Sequence, residues 1–214
     1  MSEATPIVHV VDDDPSFLVA AARLLKAAGY SVLTFTSAAE FLAKLDDTAG
    51  CVIADLRMPG MDGLDLQRAL MHGANALPVI FLTGEGDIPT TVHAMRNGAE
   101  DFLTKSAPKE DLLAAVNRAL ARDARQRAER GHLRELRARF DALTPRERDV
   151  LRHVVQGRQN KQIAADLNIN ERTVKLHRTA ITTKLEVRSV AELTRLVQAA
   201  GVFEEHLPTF PKGQ

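Results

Sequence analysis

The chain has 214 residues, 45% of them hydrophobic and 26% charged, which fits an ordinary globular protein of one large or two small domains and excludes a disordered or low-complexity chain. Cys51 stands alone, which excludes an intrachain disulfide, and no apolar stretch approaches the ~20 residues of a membrane helix. The net charge of zero hides an asymmetry: residues 1–121 hold 9 Lys/Arg against 16 Asp/Glu, and residues 122–214 hold 19 against 12.

Two halves of opposite sign suggest two domains with different partners, the basic one suited to a polyanion. The N-terminus MSEATPIVHVVDDD has no basic start and no long apolar run, so no signal peptide is read there and a cytoplasmic protein is expected.

Short apolar runs follow one another at Ile7–Val11, Ser31–Phe35, Cys51–Ala54, Pro78–Leu82 and Asp101–Thr104. Ala- and Leu-rich segments of helical period lie between and after them, at Phe17–Ala28, Ala38–Leu45, Leu64–His72, Thr90–Asn97 and Lys109–Ala121. This alternation predicts a five-stranded parallel sheet with five helices on its two faces. Runs such as VHVV and VIFL have little polar alternation, as strands covered on both faces should. Gly29, Gly50 and Gly98 stand where helices end or turns begin.

Residues 122–141, RDARQRAERGHLRELRARFD, place Leu133, Leu136 and Phe140 at helical spacing and are read as a helical linker, with Gly131 as its weak point. Four helices and no strand are expected over residues 142–200. Thr144, Pro145 and Glu147 form a capping-box signature at the start of the first, which runs to Gly157. The others are Asn160–Leu167, then Glu171–Leu185 after a short turn at Asn168-Ile169-Asn170, then a helix from Ser189 to near Gly201. The tail 201–214 carries two prolines and is expected to be poorly ordered. The expected domains are therefore 1–121, the linker 122–141, the helical domain 142–200 and the tail 201–214.

Polar residues cluster where the strands end. Asp12, Asp13 and Asp14 close the first, Asp55 the third, Thr83 the fourth and Lys105 the fifth. Ligands of open parallel sheets bind at those ends, near the point where strand order reverses. Carboxylates gathered there need a cation, and oxygen ligands favour Mg²⁺. Asp55 is then a candidate nucleophile for a phosphoryl group, with Lys105 and Thr83 placed to hold phosphoryl oxygens. A phosphatase would want a second acid two residues after the nucleophile, and Arg57 stands there.

The segments VVDDD, DLRMPGMDG, FLTGEGD and DFLTK resemble the receiver domain of bacterial two-component response regulators from about Ile7 to Leu120. The resemblance implies a flavodoxin-like α/β fold. It implies Mg²⁺ held by Asp12, Asp13, Asp55 and the backbone carbonyl of Arg57, and phosphorylation of Asp55 by a sensor histidine kinase. Thr83 and Phe102 would be switch residues, and the only catalysis would be assistance to the chain's own phosphorylation and dephosphorylation. In one place the chain departs from the family: Lys105 is followed by Ser106 rather than by proline after a cis bond. Such a bond costs ~2.5–4 kcal/mol before other residues, so a rebuilt or more mobile loop is expected, which puts the placement of Lys105 and the efficiency of the switch in question.

In the basic half, Ile163, Ala164 and Leu167 give one helix an apolar face. Val174, His177, Ile181 and Leu185 give the next helix another. This leaves Lys175, Leu176, Arg178, Thr179 and Thr182 outward, on a helix that would enter the DNA major groove, with Lys184 a further candidate DNA contact. Lys161, Asn170 and Thr173 are candidates for phosphate contacts. The segments LTPRERDVL, GRQNKQIAADLNI and ERTVKLHRTAITTKLEVRS resemble the LuxR-type helix-turn-helix domain over about Leu143–Val197. The whole architecture resembles the NarL/FixJ family, with GDIP and PIVHVVDD favouring its FixJ-like branch. The resemblance implies transcriptional control through double-stranded DNA, a homodimer on phosphorylation or on DNA, and RNA polymerase as a further partner.

Overall fold

Strands rich in Val, Ile and Phe form a sheet here because both of its faces are covered. The computed structural model of the chain describes residues 5–73, 75–84 and 88–202. Strands β1 (Ile7–Val11), β2 (Ser31–Phe35), β3 (Gly50–Asp55), β4 (Val79–Thr83) and β5 (Asp101–Thr104) pair in parallel in the order β2-β1-β3-β4-β5. Helices α1 (Pro15–Ala27), α2 (Ala38–Lys44), α3 (Gly63–His72), α4 (Ile88–Arg96) and α5 (Lys109–Asp141) alternate with them. One layer packs Phe41, Leu66, Leu70 and Ala94 on Val52, Ala54 and Phe81. The other packs Leu18, Leu25, Leu112 and Val116 on Val8, Val10, Ile53 and Ile80.

Local chemistry sets the element ends. Asp14 accepts the Ser16 and Phe17 N–H groups and Pro15 opens α1, so the helix begins two residues before the expected Phe17. Gly50, read as a turn residue, is instead the first residue of β3. A Cβ there would stand 2.0 Å from the Ile7 carbonyl oxygen, so only glycine lets β1 and β3 approach this closely. Cys51 follows it fully buried, and desolvation pushes its thiol up to about 12, which leaves it unreactive.

The chain divides into two compact units between Arg127 and Ala128. That boundary lies inside α5, which runs unbroken through Gly131 to Asp141. A single glycine costs a helix about 1 kcal/mol, and the Ala, Arg, Leu and Glu residues around it are good helix formers.

In the second unit the last turns of α5 contribute Leu136 and Phe140 to a core shared with α6 (Pro145–Val155), α7 (Asn160–Asp166), α8 (Glu171–Lys184) and α9 (Val190–Ala200). The capping box at Thr144 is formed in full, and Ser189 caps α9 through the Glu192 N–H. The turn between α7 and α8 passes through Asn168 at φ +52°, a left-handed conformation that Asn tolerates. The chain beyond Val202, with the proline-containing tail, lies outside the described residues.

Candidate functional site

β1 and β3 are parallel neighbours, with Val11 opposite Ala54. Asp12, just past β1, and Asp55, the last residue of β3, therefore sit side by side at the carboxyl edge, where strand order reverses. One carboxylate oxygen from each of Asp12, Asp13 and Asp55 lies within 4.8 Å of the others. Asp12 and Asp55 are buried and Asp13 is exposed, so the cluster is open on one side. Lys105 enters from the end of β5. Its Nζ lies 2.6 Å from Asp12 Oδ2 and 2.9 Å from Asp55 Oδ2. The same ammonium lies 4.5 Å from the centroid of the Phe17 ring, a cation–π contact that holds its stem.

The three consecutive aspartates do three different things. Asp12 Oδ1 accepts the Asp14 N–H at 2.9 Å, which fixes its plane. Asp14 turns away to cap α1. Asp13 is left facing solvent beside the pocket. Asp55 Oδ1 accepts the Arg57 N–H at 3.3 Å, so the loop after β3 folds back on the carboxylate.

Burial raises the Asp12 carboxyl above its ordinary value, and the Asp55 charge adds to this; Lys105 and the Asp14 N–H act in the opposite direction. For Lys105, burial works against the charge. The two carboxylates outweigh it and hold the ammonium above its usual value. Three carboxylates against one ammonium leave an excess of negative charge. Asp12 Oδ2 also lacks a hydrogen bond of good geometry, its close neighbour being the Lys105 ammonium. An all-oxygen donor set with surplus negative charge, open to water on one side, could hold a hard metal cation.

The rebuilt loop expected after β5 leaves Lys105 in place. All described peptide bonds are trans, including the one before Ser106. The chain turns through an Ala107 N–H to Thr104 carbonyl bond of 2.9 Å, with Ser106 Oγ 3.2 Å from Thr104 Oγ1. The backbone N–H of Lys105 donates to the Thr83 carbonyl at 2.8 Å, and this ladder bond positions the side chain without a proline. Thr83 is buried at the end of β4. Phe102 is half-buried with its ring 6.1 Å from that of Phe81.

Two residues at this site were given no role by sequence reasoning. Phe17 is one. Gly63 is the other, although it stood within DLRMPGMDG. A Cβ at Gly63 would lie 2.4 Å from the Asp55 carbonyl oxygen and 2.9 Å from the Phe81 ring. The Gly63 N–H donates to the Leu56 carbonyl at 3.0 Å, so α3 starts pressed against the end of β3. Gly63→Ala is expected to destabilise the first unit by ~1–3 kcal/mol through overpacking. Thermal melts check this, and a variant with unchanged melting would contradict it.

In the second unit, α7 and α8 meet through buried Ile163, Ala164, Val174 and Ile181. Asn170 caps α8, its Oδ1 accepting the Thr173 N–H at 2.8 Å and the Thr173 hydroxyl at 2.9 Å. Both candidate phosphate contacts at the helix start are therefore engaged with each other. Lys175, Leu176 and Thr179 are exposed along α8, Leu176 to 65%, and Lys161 is exposed on α7. The Thr179 hydroxyl donates to the Lys175 carbonyl at 3.1 Å, and the Thr182 hydroxyl bonds back to its own helix in the same way.

Two of the candidate DNA contacts are held by the domain itself. Arg178 is half-buried and donates to Asn160 Oδ1 at 3.0 Å, which fastens the start of α7. Lys184 lies 2.7 Å from Oε2 of buried Glu147 and 3.2 Å from the Ala142 carbonyl oxygen. Packing α8 across α6 brings the last turn of one helix over the first turn of the other. Helical period alone could not show this.

A family description for the response regulator receiver domain matches residues 8–117, and one for bacterial regulatory proteins of the luxR family matches residues 141–197. The chain is 42% identical to the response regulator protein TmoT of Ectopseudomonas mendocina, over 92% of this chain and 90% of that protein. It is also 42% identical to the transcriptional regulatory protein FixJ of Azorhizobium caulinodans, over 94% of this chain and 96% of that one. Among solved structures, that of the response regulator StyR is similar with a TM-score of 0.81 and 44% identity, covering 91% of this chain and 99% of its own. Full-length FixJ from B. japonicum is similar with a TM-score of 0.55 and 34% identity, covering 92% and 98%.

Proposed function

The chain belongs to the response regulators that join a receiver to a LuxR-type DNA-binding domain, as a two-component regulator of transcription, and from that premise we propose that Asp55 is its phosphoacceptor and that phosphorylation there controls dimerisation and DNA binding. The observation that carries this reading is the position of Lys105 Nζ, within 3 Å of both Asp12 and Asp55. A cation placed between a candidate nucleophile and a candidate metal ligand can pair with a phosphoryl oxygen as soon as one arrives.

The receiver implies a sensor histidine kinase as phosphate donor. An oxygen of Asp55 forms the new bond to phosphorus, the phosphorus–nitrogen bond of the kinase's phosphohistidine breaks, and the imidazole leaves. Asp12, Asp13 and Asp55, with the Arg57 carbonyl, would hold Mg²⁺, which when bound offsets the charge gathered on the phosphoryl oxygens. Lys105 gives up its contact with Asp55 and follows the phosphoryl group. Thr83, at the end of the neighbouring strand, offers its hydroxyl, and Phe102 beside Phe81 is the ring that moves with it.

On the DNA side, Lys175, Leu176 and Thr179 form the surface that reads bases. Lys175 and Thr179 can hydrogen-bond to base edges and Leu176 can meet a thymine methyl. Lys161 is placed for phosphate. Arg178 and Lys184 support this surface from behind. Two copies would read two half-sites about one helical turn apart and could present themselves to RNA polymerase. No helix among the described residues is long and apolar enough to cross a membrane, and we place the protein in the cytoplasm, where kinase and operator are both reached.

The test is direct. The full chain is treated with a small phosphodonor with and without Mg²⁺, and its intact mass and phosphopeptides are measured. One acid-labile phosphoryl group is expected, on the peptide carrying Asp55 and only with the divalent ion. Modification at another residue, or none in either condition, overturns the assignment.

A further inference from the structure

The first unit ends on a cluster of polar groups, built on buried Asp123 and Asn75, that the phosphoryl chemistry does not use. Asp123 is 1% exposed, and its Oδ2 accepts the Gly50 N–H at 2.9 Å and Arg127 Nε at 2.8 Å. Arg127 extends further from this anchor. One of its terminal nitrogens donates to the Asp47 carbonyl at 2.8 Å and to Asp47 Oδ1 at 3.1 Å. The other donates to the Thr48 carbonyl at 2.8 Å and to Asn75 Oδ1 at 2.7 Å. Asn75 closes the ring by donating to the Asp46 carbonyl at 2.7 Å. A guanidinium has five N–H donors in a rigid fork; here Nε meets Asp123 one turn back on α5, and both terminal nitrogens meet acceptors from the loops that lead into β3 and β4.

The apolar packing of α5 on the sheet runs through Leu112, Ala115, Val116 and Ala119, with Leu120 at its margin. Beyond it, Ala121, Ala124 and Arg125 are exposed. The turns that follow are held by polar contacts: Arg122 to the Gly98 carbonyl and Glu100, both at 3.2 Å, and the Asp123–Arg127 pair. These residues also lie past the stretch matched by the receiver description, which ends at residue 117. The partners of the pair sit at the amino end of β3, and Asp55 is at the carboxyl end of the same strand.

We propose that Arg127 is a positioning residue for the phosphorylation response. It fastens residues 118–127 of α5 to the amino edge of the sheet, so that this part of the helix moves as a piece of the receiver. A helix can carry a shift out of a domain only if its exit turns are fixed to that domain. Packing ends near Leu120, so polar contacts supply the fixing, and of these the Arg127 guanidinium reaches the most acceptors on the edge of the sheet. Lysine cannot replace it, because a point charge on a flexible stem reaches one or two of these acceptors and not the fork of them. The coupling part of this inference rests on the phosphoswitch reading; the anchoring part stands without it.

The experiment uses the full chain as wild type, Arg127→Gln and Arg127→Lys. Each is measured for acid-labile phosphate, amide hydrogen exchange over residues 118–127, and DNA affinity with and without phosphodonor. Phosphate incorporation is expected to be unchanged, since Asp55 lies at the other end of β3. Exchange over 118–127 should quicken roughly tenfold in both variants. The phosphodonor-driven gain in affinity should shrink roughly fivefold, with unphosphorylated binding as in wild type. Faster exchange with an undiminished gain would make Arg127 a stability residue only and overturn the proposal. Unchanged exchange would overturn the anchoring itself, and Arg127→Lys decides the matter if the glutamine variant does not fold. A wild type that gains nothing from phosphodonor counts against the phosphoswitch, and the anchoring is then judged on exchange alone.

Discussion

Asp55→Asn is expected to abolish both the covalent phosphate and the phosphodonor-driven rise in DNA affinity while leaving the fold intact. Asn has nearly the same shape and can still accept the Arg57 N–H that Asp55 Oδ1 accepts at 3.3 Å. Its amide nitrogen is no nucleophile and it carries no negative charge. Lys105 keeps Asp12 at 2.6 Å as a partner, so no buried ammonium is stranded. The chemistry is therefore lost and the packing retained. Coupling between two sites is typically 1–3 kcal/mol, so the wild-type gain in affinity should be about 5–150-fold and that of the variant about one. Fluorescence anisotropy on operator DNA, with Mg²⁺ and phosphodonor, measures both. A variant that responds like the wild type would move the acceptor away from Asp55.

Lys184→Met is expected to melt the DNA-binding unit well below the wild type without weakening a phosphate contact. Glu147 is 5% exposed, and its Oε2 accepts Lys184 Nζ at 2.7 Å and the Thr144 N–H at 2.8 Å. Removing the ammonium leaves a buried carboxylate with the capping-box N–H alone, which costs about 1–3 kcal/mol. For a unit of this size that is on the order of 10 °C in Tm. The pH dependence has a definite sign. Burial pushes the Glu147 carboxyl up, but the hydrogen bonds from Lys184 and Thr144 outweigh it and hold the group below its ordinary 4.5. The unfolded chain therefore takes up the proton more readily. The stabilisation is present above pH 4.5 and is lost as pH falls through the lower folded value. The gap between wild type and variant should accordingly narrow below that pH. Salt dependence separates support from DNA contact. A lost phosphate contact reduces the slope of log K against log salt by about 0.9, and the supporting role leaves it unchanged.

Much of this molecule is written locally in its sequence. The runs Ile7–Val11, Ser31–Phe35 and Asp101–Thr104 are strands with the ends read from composition, and the box at Thr144 is formed as its spacing suggested. Periodicity, caps and turn residues act over a few positions, so the chain itself displays them. The grouping of Asp12, Asp13, Asp55 and Lys105 could be anticipated as well, because parallel strands of one sheet all end at the same edge.

What the sequence could not display are the partners that side chains find far away in the chain. Lys184 reaches Glu147 across 37 positions, Arg178 reaches Asn160 across 18, and Arg127 reaches the Thr48 carbonyl across 79. Whether a lysine on an amphipathic helix faces DNA or a buried glutamate depends on which helix crosses it and at what height. Whether a glycine is a turn residue, as Gly50 was read, or a gap left for a neighbouring carbonyl depends on how closely two strands approach. By itself the sequence determined the elements, the two-part architecture and the grouping of polar residues at the strand ends, since these follow from short-range pattern and one topological rule. Only the tertiary structure decided which charges are spent holding the fold and which remain free for a partner, because a side chain's partners are set by packing in three dimensions.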